Sequence, residues 1–340
     1  MHIKAPDIGI DLGSSNTMLY VAKRGIVIHE PTLVVVDGGN RRQVQSVGDE
    51  ARHAYGRTSG TQTLIHPIRN GVIADFDMTA LMIKYFLRKA IGASNVIKPK
   101  VVVSVPAGMD EINRKALTQA VRESGVKKIY LMEKPFAAAL GSDLPVYDPI
   151  GSMVVDIGGG TTDVAVISLG GLVVSQSIPV GGKKMDEAII NHIKREFKML
   201  IGERTAENVK MDLGSAMPLT EERRVHIRGR DLLSPQAMDI EYTSQQAYQA
   251  IHEPCKAIVG AIRWVLERTP PELAADILRT GVHLTGGGAQ LYAMDQYIAT
   301  ELGIPVLVAR DPADCTIKGL GHIVENIPLY SQVGRMPQMG

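Results

Sequence analysis

Apolar positions along this chain follow two periods that alternate, and the order of alternation repeats once. Residues 8–12, 18–22, 26–29 and 33–36 are short β-rich runs punctuated by Gly25 and Pro31. From Gly38 to Gly60 the composition turns polar and glycine-rich, which reads as a small inserted subdomain; Gly71-Val-Ile-Ala-Asp-Phe76 brings the chain back. Met78, Leu81, Met82, Tyr85 and Phe86 fall at helical spacing. Residues 100–106 form a continuous apolar run, the signature of a parallel strand covered on both faces. A helix over 109–124, a strand over 128–132 and a helix opening at Pro135 follow, proline being favourable at a first helical position.

The second half repeats the plan. Strands over 153–156, 164–168 and 172–178 precede Gly181-Gly182 and a long helix with apolar positions Met185, Ile189, Ile193, Phe197 and Leu200. An insertion over 182–243 carries Arg223-Arg-Val-His-Ile-Arg-Gly-Arg230, whose basic residues alternate with Val225 and Ile227 as in a strand with one solvated face. A helix over 244–267 and another from Pro270 lead to Gly281-Val-His-Leu-Thr-Gly-Gly-Gly-Ala-Gln290, a strand running into a glycine turn and a helix. The pattern predicts an α/β chain of two similar halves. The first half is 1–145, with its core at 1–32 and 66–145 and an insert at 33–65. The second is 146–340, with its core at 146–181 and 244–326 and an insert at 182–243.

Candidate chemistry lies in the turns. Met153-Val-Val-Asp-Ile-Gly-Gly-Gly-Thr-Thr-Asp-Val-Ala-Val-Ile167 reads as a hairpin whose Gly158, Gly159 and Gly160 leave N–H groups free to converge on an anion. Asp156 at its rim can hold a hydrated Mg2+ facing that anion. A glycine turn alone is weak evidence. Here it has a second copy, since Asp11-Leu-Gly-Ser-Ser-Asn-Thr17 aligns with Asp156-Ile-Gly-Gly-Gly-Thr-Thr162, Asp11 over Asp156 and Gly13 over Gly158. With the third turn at Gly286, Gly287 and Gly288, the set points to an ATP cleft between two α/β halves.

Composition narrows the class. The 340 residues are 45% hydrophobic and 21% charged with a net charge of +1, which fits an ordinary globular protein and offers no field for nucleic acid. Cys255 and Cys315 lack metal or disulfide spacing, which fits a reducing cytoplasm. No signal peptide and no 18-residue apolar run appears.

At these residues the chain resembles the actin, heat-shock chaperone and sugar kinase superfamily, and within it the bacterial actins of the MreB and Mbl type. The resemblance covers about residues 7 to 326. Its marks are the two aspartate-glycine hairpins, Asp75-Phe76, Ile201-Gly-Glu-Arg-Thr-Ala-Glu207, Glu267-Arg-Thr-Pro-Pro-Glu-Leu273 and Leu284-Thr-Gly-Gly-Gly288. It implies an actin-like ATPase fold with RNase H-like cores around a nucleotide cleft. Gly13, Ser14, Ser15 and Asn16 would hold one side of the phosphates; Gly158, Gly159, Gly160 and Thr161 would hold the other. Asp11 and Asp156 would bind Mg2+ through water. Ala206, Glu207, Asn208 and Lys210 would meet ribose and base, and Gly286, Gly287, Gly288 and Ala289 would admit the adenosine. The reacting end would fall to Glu133, Lys134 and Thr161. Here the chain departs from the family, which commonly reads Glu-Glu-Pro where this one has Glu133-Lys134-Pro135. An ammonium cannot accept a proton from attacking water, and Glu133 should point elsewhere, so the implied activity is ATP binding with slow hydrolysis at most.

The implied role is an ATP-dependent cytoskeletal filament that determines rod shape by organising cell-wall synthesis. Subunits would stack head to tail, in paired strands, in the cytoplasm and peripherally on the inner face of the membrane, with wall-elongation proteins as partners. A membrane loop would use Ile91, Val96 and Ile97, which can supply a few kcal/mol at most. A chaperone-like ATPase would need a substrate domain beyond residue 326, and a small-molecule kinase would need a catalytic aspartate and a sugar pocket; both fall behind.

Overall fold

The two halves of the chain build the same sheet twice. In this computed structural model, which describes residues 6–38, 43–54, 62–92, 98–234, 236–332 and 338–339, the first half opens with an antiparallel meander of β1 (Ile8–Leu12), β2 (Asn16–Val21) and β3 (Gly25–Pro31). An insert follows, made of β4 (Val34–Asp37), β5 (Val44–Val47), α1 (Asp49–Ala54) and β6 (Gln62–Ile65). A short hairpin of β7 (Ile68–Arg69) and β8 (Val72–Ile73) leads to α2 (Phe76–Ile91), β9 (Lys100–Val105), α3 (Glu111–Glu123), β10 (Lys128–Glu133) and α4 (Lys134–Gly141).

The second half has its own meander of β11 (Ser152–Ile157), β12 (Thr162–Ser168) and β13 (Gly171–Ile178). Then come α5 (Gly182–Phe197), β14 (Met199–Leu200), α6 (Glu203–Leu213), β15 (Arg224–Asp231), β16 (Ala237–Thr243), α7 (Ser244–Arg268), α8 (Pro271–Thr280), β17 (Val282–Thr285), α9 (Met294–Leu302) and β18 (Val306–Val308). The chain finishes with α10 (Cys315–Glu325), α11 (Ile327–Gln332) and β19 (Gln338–Met339). One sheet runs β3-β2-β1-β9-β10 with β19 at its edge; the other runs β13-β12-β11-β17-β18. In both, the meander is antiparallel and the crossover strands are parallel.

Local chemistry explains the boundaries. The Asp75 carboxylate caps α2 by accepting from Met78 N at 3.2 Å, and Asp110 caps α3 through Asn113 N at 2.9 Å. Thr243 and Gln246 form a capping box at the start of α7. All of β9 after Lys100 is buried, as a strand covered on both faces must be. In β15 Ile227 is buried between exposed His226 and Arg228, the one-faced strand expected. Leu200 was expected on the helix of Met185, but α5 ends at Phe197; Lys198 turns left-handed (φ 54°) and sends Leu200 into β14.

Two helices pack across the division between the halves. The last helix of the second half, α10, packs on β1, β2 and β9 of the first sheet, while α4 packs on β11 and β12 of the second. The two helices cross face to face and each covers the other half's sheet. Their side chains at the crossing explain it: a Cβ on Gly141 would strike the Cys315 carbonyl, and one on Gly319 would strike the Ala137 carbonyl. Backbone meets backbone, a contact only glycine permits. Residues from both halves therefore share one apolar cluster, with Met18, Val102 and Tyr130 packed with Val154, Ile167, Ile317 and Leu320. Gly319→Ala should cost about 3 kcal/mol or more by overpacking this crossing. A urea midpoint matching the native one would show that the helices can part without penalty.

Candidate functional site

Strand register brings the two glycine hairpins to the same place in each half. Leu12 pairs with Thr17 and Ile157 with Thr162, which leaves four-residue loops at 13–16 and 158–161 with Asp11 and Asp156 one step behind them. Each loop is closed by one backbone bond, Gly13 N to Asn16 O at 3.0 Å and Gly158 N to Thr161 O at 2.8 Å. The loops meet tip to tip: a Cβ on Gly159 would fall on Ser15 Oγ, and one on Gly160 on Ser14 Oγ. The start of α5 docks on the second loop, Gly182 N donating to Gly158 O at 3.0 Å and Lys183 N to Gly159 O at 2.8 Å.

Above the loops opens a cavity of about 600 Å3, within the range of small-molecule sites. Gly13, Ser14, Ser15, Asn16, Gly158, Gly159, Glu207, Lys210, Gly286, Gly287 and Gly288 line it together with Asp11, Lys134 and Asp156. Gly160 and Thr161 line a smaller space beneath the second loop, beside Lys134. Thr161 Oγ1 donates to Asp163 Oδ2 at 3.0 Å, and Asp163 Oδ1 accepts from Ala107 N of the first half at 3.0 Å.

Some expected residues fall elsewhere. On α6 each residue turns about 100°, so the face carrying Glu207 and Lys210 into the cleft leaves Ala206 in the core and Asn208 in solvent. Ala289 is buried behind its turn. Glu133 is directed away from the cleft, where its carboxylate accepts from Gly108 N at 3.5 Å and Arg114 Nη2 at 3.4 Å. Ile91 is partly buried against the first core, and Val96 and Ile97 lie outside the described residues.

The base of the cleft is a charge cluster. The Lys134 ammonium stands 3.5 Å from Asp11 Oδ1 and 3.9 Å from Asp156 Oδ2, with all three side chains nearly buried. Asp11 Oδ1 also accepts from Ser104 Oγ at 2.6 Å; Asp156 accepts from Thr285 Oγ1 at 3.2 Å and Thr316 Oγ1 at 3.5 Å. Burial pushes Asp156 up to about 6, against the pull of Lys134 and with help from Asp163 and Asp11. Burial alone would lower Lys134, but the carboxylates of Asp11, Asp156 and Asp163 outweigh it and hold the ammonium firmly charged. Among the described residues no group of three or more His, Cys, Asp or Glu converges for direct metal ligation. A water-mediated Mg2+ would stand about 4 Å from each carboxylate, given metal–water distances of about 2.1 Å, and Lys134 is already there. These donors do not fit a divalent cation.

Sequence reasoning missed Asp186 on α5, Ser104 in β9 and Thr316 on α10, because no local motif marks them. Asp186 pairs with Lys210 at 2.8 Å, and Lys210 also donates to Gly182 O at 3.1 Å. At the mouth, Arg52 of the first insert reaches Glu207 at 3.4 Å, and His66 reaches Glu203 at 3.2 Å.

Two equivalent α/β halves with apposed glycine-aspartate hairpins over a cleft define an actin-like protein. Known structures agree. MreB5 of Spiroplasma citri bound to ADP superposes with a TM-score of 0.89 at 32% identity, covering 97% of this chain and 98% of that one. The same protein bound to AMPPNP gives 0.88 at 33% identity over 98% and 99%. The chain belongs to the MreB/Mbl family, whose profile (MreB/Mbl protein) matches residues 5–332. The cell shape-determining protein Mbl of Bacillus subtilis (strain 168) is 46% identical over 323 residues, 95% of this chain and 97% of the relative. The cell shape-determining protein MreB of Escherichia coli (strain K12) is 44% identical over 329 residues, 95% and 94%.

Burial also pushes Asp186 up to about 6, with Lys210 working against it. Since this lies above the ordinary carboxylate value of about 4, the contribution of Asp186 to stability is complete below about pH 4 and lost as pH rises through about 6. Asp186→Asn should therefore flatten the fall in melting temperature across that window. Parallel native and variant profiles would contradict this assignment.

Proposed function

We propose that this chain is a nucleotide-switched filament protein that takes part in determining cell shape. The observation that carries the reading is the apposition of the 13–16 and 158–161 loops, one from each half, beneath a cavity of nucleotide size. A phosphate chain bound between them touches both halves at once, so its presence and length set how the halves sit. The proteins of Bacillus subtilis and Escherichia coli that it resembles are named for cell-shape determination, and the Spiroplasma citri relative binds ADP and AMPPNP. Head-to-tail stacking is heterologous and leaves an open end, so assembly continues into a filament.

Several finer features belong to this reading. ATP is the switching nucleotide, with hydrolysis slow because residue 134 offers no carboxylate and Glu133 faces Arg114. The filament lies on the inner membrane face by avidity, since a few apolar side chains per subunit bind lipid weakly. No described helix is long and apolar enough to cross a membrane. Wall-elongation proteins are the partners to seek. Ile112, 80% exposed on α3, offers an apolar contact for pairing one filament strand with another.

A side chain at Gly287 tests the cleft without disturbing the fold, because a Cβ there meets nothing within 4 Å while the residue lines the cavity wall. Gly287→Leu should melt like the native chain yet bind a fluorescent ATP analogue at least about tenfold more weakly, a loss of about 1.4 kcal/mol. It should also lose nucleotide-dependent sedimentation. Native affinity in that variant, or no binding by the native chain, would sink the reading.

A further inference from the structure

We propose that Lys134 is a built-in counter-cation in place of a divalent ion, so that nucleotide phosphates bind in this cleft without Mg2+. The inference rests on the nucleotide reading above and goes beyond it. Asp11 and Asp156 come from the hairpins of opposite halves, each one residue before the end of its strand, and both carboxylates stand within 4 Å of the same ammonium at the cleft base. Two buried carboxylates so placed need a cation between them. The ammonium at 3.5 and 3.9 Å supplies it from within the chain, at the distance a hydrated metal would keep.

Position and valence both suit the task. Lys134 is the first residue of α4, so its backbone is fixed by the glycine crossing with α10. Its Nζ lies 3.9 Å from the point where a Cβ on Gly158 would stand, at the turn of the second loop, and it borders both the main cavity and the space beneath that loop. An ammonium has three donors. Asp11 at 3.5 Å takes one direction and Asp156 at 3.9 Å lies beyond hydrogen-bond reach, which leaves donor capacity for a phosphate oxygen arriving from the cavity.

Charge bookkeeping points the same way. Lys134 brings one ammonium to the carboxyl groups of Asp11, Asp156 and Asp163. Lys134→Glu removes that ammonium and adds a fourth carboxyl group, an excess of acid that a divalent cation offsets. Lysine thus supplies in one side chain what the glutamate variant needs a metal to supply.

The test is titration of a fluorescent ATP analogue in EDTA and in millimolar Mg2+, for the native chain, Lys134→Met and Lys134→Glu. The native affinity should change by less than about threefold between the two conditions, while Mg2+ should tighten binding to Lys134→Glu by at least about tenfold. Lys134→Met should bind weakly in EDTA and recover with Mg2+. Without nucleotide, Mg2+ should raise the melting temperature of Lys134→Glu and leave that of the native chain unchanged. Native binding that is lost in EDTA and restored by Mg2+ overturns the inference alone, and this arm stands even where a variant fails to fold. Native binding in neither condition overturns the nucleotide reading, and the inference with it.

Discussion

Backbone contact between α4 and α10, made through Gly141 and Gly319, is the constraint on which the rest of the structure depends. Side chains at either position would hold the helices apart by the width of a methyl group or more. Because they touch, each helix can leave its own half and cover the sheet of the other. The same crossing delivers chemistry to the cleft. Lys134 begins α4 and Thr316 lies in the first turn of α10, and both reach Asp156 from different directions. A fault in the crossing would thus displace the charge cluster as well as loosen the core.

Magnitudes decide how that cluster holds together. At an effective dielectric of about 20, an ion pair at these separations gains on the order of 4 kcal/mol. Taking each ion out of water costs several kcal/mol. One ammonium with one carboxylate falls short of offsetting two such costs; one ammonium shared between two carboxylates, which also accept from the hydroxyls of Ser104, Thr285 and Thr316, does better. Removing the lysine alone leaves two buried carboxylates repelling each other with no cation between them. The cluster is stable as a unit and unstable in parts.

Much of this was legible in the sequence. Strand periods, the polar inserts and the repeated aspartate-glycine hairpins are local patterns, and the register that pairs Leu12 with Thr17 and Ile157 with Thr162 follows from them. The glycine loops and the face of Glu207 and Lys210 could be found for the same reason. What could not be read depends on contacts distant in sequence. Nothing near Gly319 says that α10 crosses to the first sheet; nothing near Asp186 says that it pairs with Lys210, 24 residues away by numbering. The sequence did mark Lys134 as the odd residue, but as a missing base. Only the fold puts its ammonium between the two aspartates, and that changes its meaning from a lost function to an occupied position. Ala206, Asn208 and Ala289 lie off the cavity wall because neighbours on a helix or tight turn share a motif without sharing a direction.

The two ends of the cleft are held very differently. At the base, the halves are joined by a shared apolar cluster, by the Asp163 carboxylate on Ala107 N, and by the buried lysine. At the mouth, they are joined by Arg52 with Glu207, where both side chains are over 40% exposed, and by the largely buried His66, which meets Lys183 at 3.0 Å and Glu203, itself 65% exposed. Exposed pairs of this kind contribute about 0–1 kcal/mol and weaken with salt. A relative movement of the halves therefore breaks contacts at the mouth long before it disturbs the base. The crossing of α4 and α10 lies at the stiff end, which makes it the axis. The phosphate loops sit next to that axis, where a small displacement is amplified at the inserts.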